Sequence, residues 1–391
     1  MKKKILFISS QYNYFVTKSS SFHRMYNNLV GLQKTKEFDV VVLQPHYEKH
    51  IEDQNLKKDI KCYYFREIAF FKNRFSYFID FNPFFIVKVI KIIKKERIDL
   101  IHLDFVYGGL SLRIFTRIPV SYNSHNVEVL YHKKIGKYYH KIPIFLRAFY
   151  WRYIHYLEKI LVKHAININA ISSVDKDLFI KIYDLPEEKL LVNSIGYNKK
   201  VFNKMITKEV ARSYLGIEKN KFVVIFHGYL TMEANIEAVR IIREKIAPKS
   251  QDKDILFLLA GKNVNFKNKD NIKFLGYVEN LNYFLYAADI AIVPVLRGSG
   301  VRTKIIDYLS ARIPVITTKT GAEGLPIIHK EHCFIINSRK FVEEFIDKIE
   351  FLKNHPEEIE KIKNNIESLL EKEFNWEKII ENLATKYKKL F

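Results

Sequence analysis

A rhythm in the sequence constrains the fold more than any other feature. Short apolar runs rich in β-branched residues recur at Ile5 to Ile8, Val40 to Leu43, Leu100 to Leu103, Val120 to Tyr122, Ile166 to Ile171 and Leu190 to Val192. Each is bounded by polar or turn residues, and longer helix-like segments separate most of them, which is the βαβ pattern of a parallel sheet. A second set follows at Phe222 to Phe226, Ile255 to Leu259, Ile272 to Leu275, Ile290 to Val295, Val315 to Thr318 and Phe334 to Ile336. Two sets predict two doubly wound α/β domains, and 391 residues suit two cores of roughly 150 to 200 residues each. Between the sets, Ile195 to Asn220 carries Gly196, Asn198 and Asn203 and little strand character, so the hinge is expected there. The tail from Pro356 reads as charged helices broken at Phe374, Asn375 and Trp376, with the last helix folding back over the first domain. The expected division is therefore 1–197 with 376–391, a linker at 198–220, and 221–375. The cleft between the two domains faces the carboxyl ends of both sheets, where open α/β sheets bind ligands.

With 48% apolar and 28% charged residues, the chain is neither disordered nor fibrous. No run approaches the ~18 apolar residues of a spanning helix, and the first apolar run is broken by Ser9, Ser10 and Gln11 too soon for a signal peptide, so a cytoplasmic protein is expected. Cys62 and Cys333 match no metal or redox spacing and read as buried small hydrophobes. The balance of 65 basic against 43 acidic residues leaves +22, enough to attract an anionic partner. Val129 to His164 mixes eight Lys and Arg and nine aromatics with one acid, Glu158. Arg66 to Arg97 is similar, with Phe70, Phe71, Phe75, Phe84 and Phe85 among lysines. Such stretches suit a helix in a lipid headgroup layer, or a helix with core-facing aromatics and solvated lysines; nucleic acid is disfavoured because no RNA-binding motif accompanies them.

Chemistry concentrates in Asp289 to Thr318. A buried strand ends near Leu296, Gly298-Ser299-Gly300 makes a turn, and a helix is expected from about Val301 to Ala311. Glycines let backbone approach a phosphate, and free N–H groups at a helix start favour a diphosphate. Gly300, Lys304 and Asp307, at i, i+4 and i+7, are expected on one face, with Lys304 reaching a phosphate and Asp307 accepting from ribose hydroxyls. A lone Gly-x-Gly is a weak signal, but here it follows a strand, opens a helix and adds Arg302 and Lys304.

This segment resembles the family-four glycosyltransferases of the GT-B fold, in particular a subgroup with a Gly-x-Arg-x-Lys donor loop. Phe226-His-Gly-Tyr-Leu-Thr-Met-Glu-Ala-Asn-Ile-Glu-Ala is similar to the first strand and turn of that family's donor domain; Leu258-Leu-Ala-Gly and Phe274-Leu-Gly-Tyr-Val are similar to its next strand ends. Thr318-Lys-Thr-Gly-Ala-Glu-Gly-Leu and Phe374-Asn-Trp resemble the segment after the donor helix and the C-terminal crossover. In the first domain, Ser124-His-Asn-Val-Glu resembles a segment that brings a histidine to the reacting centre, and Ser194-Ile-Gly-Tyr-Asn an interdomain turn. The resemblance implies two Rossmann-like domains facing a central cleft, with a C-terminal crossover helix. Its implied donor residues are Gly228, Gly261, Tyr277, Val278, Gly298, Ser299, Gly300, Val301, Arg302, Lys304 and Asp307.

Departures from the pattern are informative. Of the family's two Glu separated by seven residues, the second position is Asp307 and the first Ser299. No cation lies in Tyr229 to Asn235, so Arg302 and Lys304 are expected to take the phosphate role, and Asn235 reads as a helix N-cap. The usual Gly-rich loop after the first strand is replaced by Ser19-Ser20-Ser21-Phe22-His23-Arg24; here Ser20, Ser21, His23 and Arg24, with Asn126 and Glu128, are the acceptor-side candidates, while His23 and Arg24 also fit a solvated helix start.

The implied chemistry is transfer of a sugar from a nucleotide-diphosphate sugar to a glycan or lipid-linked acceptor, with retention and without metal or other cofactor. Arg302, Lys304 and the loop amides would stabilise the departing diphosphate, Asp307 would hold the donor, and His125 would position sugar or acceptor. Asp175-Lys-Asp177 and Asp252-Lys-Asp254 read as a helix N-terminus and a charged loop rather than a metal site. Two alternatives remain open: a non-catalytic scaffold binding membrane or glycan, and a sugar-nucleotide epimerase or phosphorylase of the same fold. A peripheral position on the inner face of the cell membrane is compatible with all of these.

Overall fold

Seven strands form the first sheet: β1 (Lys3–Ser9), β2 (Phe38–Pro45), β3 (Lys61–Phe65), β4 (Leu100–Asp104), β5 (Val120–Asn123), β6 (Asn167–Ala170) and β7 (Leu190–Val192). They are parallel, in the order β3-β2-β1-β4-β5-β6-β7. β4 and β5 are buried along their whole length, as expected of parallel strands covered by helices on both faces. The second sheet has β8 (Phe222–His227), β9 (Ile255–Ala260), β10 (Ile272–Phe274), β11 (Ile290–Val293), β12 (Val315–Thr318) and β13 (Cys333–Ile336), in the parallel order β10-β9-β8-β11-β12-β13. Every strand expected from the sequence is present, and one is added: β3, a five-residue edge strand whose first residue is exposed and whose next three are half-buried, so it carries no continuous apolar run. Cys62 lies in it half-buried, while Cys333 is buried in β13.

The computed structural model describes residues 2–10, 12–15, 20–46, 57, 59–66, 76–135, 144–197, 206–250, 252–262, 266–298 and 300–391. Of these, 20, 21, 76–78, 134, 135 and 144–146 are described by their backbone alone. Ser299, Asn198 and Asn203 lie outside the described residues, as do Phe70, Phe71 and Phe75 of the basic aromatic stretches.

The chain divides into two units, Met1–Ile195 with Trp376–Phe391, and Gly196–Asn375. The segment 198–220, read as a linker, contains the helix Lys208–Tyr214, capped by Thr207, whose hydroxyl accepts from Val210 N. Arg212 of that helix donates to Ala287 O, Lys219 O and Asp289, which makes it part of the second unit.

In the first unit, the C-terminal helix Trp376–Lys388 lies against the helix Ser20–Lys34. A Cβ at Gly31 would stand 2.5 Å from Ile380 Cγ1, so only glycine permits this approach. Tyr387 is fully buried, its hydroxyl 2.5 Å from His102 Nδ1 and 3.0 Å from both Asn169 Nδ2 and Ser121 Oγ. Burial pushes His102 down to about 4, so it is neutral.

Candidate functional site

In both sheets the strand order reverses once, between β1 and β4 in the first and between β8 and β11 in the second. Ligands of open α/β sheets bind beside the carboxyl ends of the strands at such a switch point. In the second unit, Gly228 follows β8, Gly261 follows β9, Tyr277 and Val278 follow β10, and the Gly298 to Asp307 segment follows β11, so the sequence-expected residues gather on one sheet edge.

Gly298 and Gly300 have φ of +126° and +76°, conformations that an L side chain avoids. The helix begins at Thr303, not Val301, and ends at Ser310; Gly300 therefore precedes the helix and does not share its face. Lys304 is buried at the first turn. Its Nζ donates to Asn235 Oδ1 at 2.7 Å and sits 4.0 Å from the Phe226 ring centroid. Burial, helped by the neighbouring Arg302 charge, lowers Lys304 to about 7. Asn235 is not an N-cap, since Met232 precedes the helix Glu233–Ile241; its amide instead bridges Lys304 and Tyr229 O. A Cβ on Gly228 would stand 2.8 Å from Lys304 Nζ and 3.0 Å from Asn235 Cγ, so the missing side chain makes room for the cation. At Gly261 a Cβ would meet Gly228 O at 2.5 Å.

Arg302 caps the same loop, donating from Nη1 to Gly300 O at 2.9 Å, and burial lowers its pKa while Glu323 counteracts. Asp307 is 44% exposed and lies 3.4 Å from His227 Nε2. His227 is anchored by donation of its N–H to Tyr308 Oη at 2.9 Å and by edge contacts with Tyr308 and Phe284. Sequence reasoning had not singled out His227. Tyr277 is exposed with Lys262 Nζ 5.6 Å from its ring centroid, and Val278 and Val301 are half-buried.

In the first unit, His125 follows β5 and is buried. Its Nε2 lies 3.0 Å from Asp104 Oδ1, and its ring stacks on Phe105 with centroids 4.3 Å apart. Phe105 has φ of +69°, a strained conformation for a bulky residue at the end of β4. Burial pushes the Asp104 carboxyl up, but hydrogen bonds from His125 and Tyr14 and its electrostatic interaction with the His102 and His125 rings bring it below the usual value. His125 is lowered by burial. An ionised Asp104 can only accept, so Nε2 carries the proton of the neutral ring and Nδ1 is left as an acceptor. Asp104 was also missed, although a carboxylate ending a parallel strand is a readable signal.

The segment after His125 is fixed by Glu158, which accepts from Glu128 N at 2.8 Å, Val129 N at 3.0 Å and Tyr183 Oη at 2.7 Å. Burial raises Glu158 to about 8. Glu128 itself is buried with Oε2 3.2 Å from His132 Nε2, and Asn126 is half-buried with its carbonyl accepting from Ser124 Oγ.

Arg24 corrects the acceptor-side expectation. It is fully buried, neither on a solvated helix start nor presented to a ligand. Nε, Nη1 and Nη2 donate to Asn193 O (2.8 Å), Ser124 O (2.6 Å) and Asn169 O (3.1 Å). The guanidinium thus ties together the chain just beyond β5, the end of β6 and the chain after β7; burial lowers it to about 10. His23 is exposed, with its carbonyl accepting from Asn27 Nδ2, and Ser20 and Ser21 begin the helix. The first Asp of each Asp-x-Asp pair has a protein partner: Asp175 meets the N-cap Ser172, and Asp252 pairs with Lys353.

Residues 221–355 match the family Glycosyl transferases group 1, and residues 24–199 match Glycosyltransferase Family 4. A UDP-Gal:alpha-D-GlcNAc-diphosphoundecaprenol alpha-1,3-galactosyltransferase of Escherichia coli is 22% identical over 282 residues, 68% of each chain. Among solved structures, sucrose-phosphate synthase from Thermosynechococcus elongatus superposes with a TM-score of 0.76 at 15% identity, covering 100% of this chain and 99% of that one. Anabaena HepE in complex with UDP superposes with a TM-score of 0.70 at 15% identity over 100% of both. Unit by unit, the chain carries the paired domains of a family-four-like glycosyltransferase of the GT-B fold.

Proposed function

We propose that this glycosyltransferase transfers a hexose from a UDP-sugar to a glycan or lipid-linked acceptor, with retention of configuration and without a metal, in the manner of the Gly-x-Arg-x-Lys subgroup. One observation carries the reading: a buried cation, Lys304, held by Asn235 and facing a side-chain-free Gly228 beside the positive-φ loop Gly298 to Gly300. A diphosphate seated there meets Lys304, Arg302 and the loop amides, and these donors oppose the charge that builds as the bond to the anomeric carbon breaks. Asp307 with His227 would take the ribose hydroxyls. His125, neutral and with Nδ1 as acceptor, would receive a hydroxyl of sugar or acceptor. The leaving phosphate would take the proton of the attacking hydroxyl, which comes from the same face. The names of the Escherichia coli relative and of the Anabaena complex support uridine as the base and a lipid-linked acceptor.

Thermal unfolding in a panel of UDP-, GDP-, ADP- and dTDP-sugars tests the reading. A donor at about 100 times its Kd stabilises by ~2.7 kcal/mol, and the shift is expected for a UDP-sugar and absent in Arg302→Ala. A panel with no shift for the wild-type chain refutes the donor site.

A pH dependence follows from Lys304. With a free-state pKa of about 7, raised when a diphosphate binds, the side chain takes up a proton on binding above that pH. UDP-sugar affinity should therefore fall as pH rises through 7, by up to about tenfold per unit. Calorimetry at pH 8 in two buffers of different ionisation enthalpy should report that proton uptake, and Lys304→Met should abolish it; identical heats in both buffers would contradict the assignment.

A further inference from the structure

The helix Pro83–Glu96 packs against Gly109–Phe115, and that helix against Ile144–His164. The contacts are close: a Cβ on Gly108 would meet Phe85 Cζ at 3.2 Å, and one on Gly109 would meet Leu161 Cδ1 at 2.9 Å. Phe85, Val89, Leu112, Ile154, Leu157 and Leu161 face inward into the core. The core therefore already has its aromatics and aliphatics from these helices.

What remains outside is unusual for a solvated surface. Phe149 is 71% exposed, Ile114 61%, Phe84 58% and Tyr156 56%, with Phe115 and Val87 also exposed. Phe149, Arg152, Tyr156, Lys159 and Lys163 fall at helical spacing on the exposed side of their helix, and Phe84, Val87, Lys91 and Lys94 do the same on theirs. The only acids in the three helices, Glu96 and Glu158, are both buried. Cation density is felt locally: His164 is lowered by burial and then by the charges of Arg113 and Lys189. No described helix is long and apolar enough to cross a membrane.

We infer that the outer surface of these three helices docks on an anionic lipid bilayer, with Phe84, Ile114, Phe149 and Tyr156 entering the headgroup layer and Lys91, Arg113, Arg152, Lys159 and Lys163 meeting lipid phosphates. Aliphatic and aromatic tips beside cations, with no exposed acid, match a surface that is apolar beneath and negative on top. A nucleic acid would leave Val87 and Ile114 without a partner, since they neither stack nor hydrogen-bond. The inference deepens the reading of a lipid-linked acceptor and rests on it for its biological purpose, but its test needs no catalysis, so either can fail alone.

The full chain is floated with vesicles of phosphatidylcholine, with and without 30% phosphatidylglycerol as a roughly physiological anionic fraction. Co-flotation is expected on anionic vesicles only, weakening as salt rises from 0.1 to 1 M and the screening length falls from about 10 to about 3 Å. Each cation near the surface should contribute about fivefold, so Arg152→Gln/Lys159→Gln/Lys163→Gln should weaken partition about a hundredfold. Phe84→Ala/Phe149→Ala/Tyr156→Ala should also lose binding, and both variants should keep the wild-type circular-dichroism spectrum and cooperative thermal melt, which certifies their fold. No flotation of the wild-type chain, equal flotation on both vesicles, or a charge variant that floats like wild type overturns the inference. So does single-stranded RNA binding that the charge variant loses while its vesicle binding persists.

Discussion

Arg302→Ala should lower turnover by about 10²- to 10³-fold, the usual effect of removing one donor aimed at developing negative charge. The loss should fall on kcat more than on KM, because charge on the diphosphate grows as the bond breaks and Arg302 is then worth more than in the ground state. Lys304→Met should behave similarly while keeping the stem packed over Phe226. Gly228→Ala should reproduce it without touching a charge, since the new methyl would occupy space within 2.8 Å of Lys304 Nζ. Steady-state kinetics with circular dichroism as a fold control decides the matter. An Arg302→Ala enzyme with unchanged kcat would move the diphosphate away from this loop, whereas a wild-type chain with no turnover on any donor would favour the scaffold alternative.

The second large effect concerns stability. Arg24→Met should destabilise the first unit by about 3 to 5 kcal/mol, because it strands three carbonyl acceptors that charge-assisted hydrogen bonds now satisfy. That is a large part of the roughly 5 to 15 kcal/mol holding a typical domain together. Arg24→Lys should recover little, since an ammonium cannot present the planar fork that spans three separate chain segments. Urea denaturation together with amide exchange in β5, β6 and β7 measures this. A cost below about 0.5 kcal/mol, typical of an exposed residue, would return Arg24 to the surface role that its sequence neighbourhood suggested.

Arg24 also marks where sequence reading stops. Beside Ser19, Ser20 and Ser21 it looks like the start of a solvated helix; only the fold brings Ser124, Asn169 and Asn193, 100 to 169 residues away, around its guanidinium. Most strands were legible because burial writes them as unbroken apolar runs, and β3 was not because only Phe65 of its five residues is fully buried. The helix Lys208–Tyr214 does carry a signal within the expected linker, Thr207 before it and Gly216 after it. In the candidate site, Gly298 to Asp307 could be read because turn, cation and carboxylate are contiguous. His227 could not, since it acquires its meaning from a partner 80 residues distant, Asp307; Asp104 offers its place at the end of a strand, but its partner His125 lies 21 residues away. Asn235 was read from its local setting as a cap, while its partner Lys304 is 69 residues away.

The C-terminal helix has an implication for biosynthesis. Tyr387 and Ile380 complete the interior of the unit that begins at the N-terminus, so the second unit is an insertion within the first rather than a successor to it. The insertion is closed at its base, where Tyr197 N donates to Phe374 O at 2.8 Å and Tyr197 pairs with Asn375. On the ribosome, the first sheet must therefore wait, with His102 and Asn169 lacking the phenol they bond and Gly31 lacking its neighbour, until residues 196–375 have been made and the helix Trp376–Lys388 has emerged. Residues translated after the insertion finish a unit begun before it, so a ribosome that stalls before residues 376–391 emerge leaves behind a chain in which the insertion can be whole while its host is not.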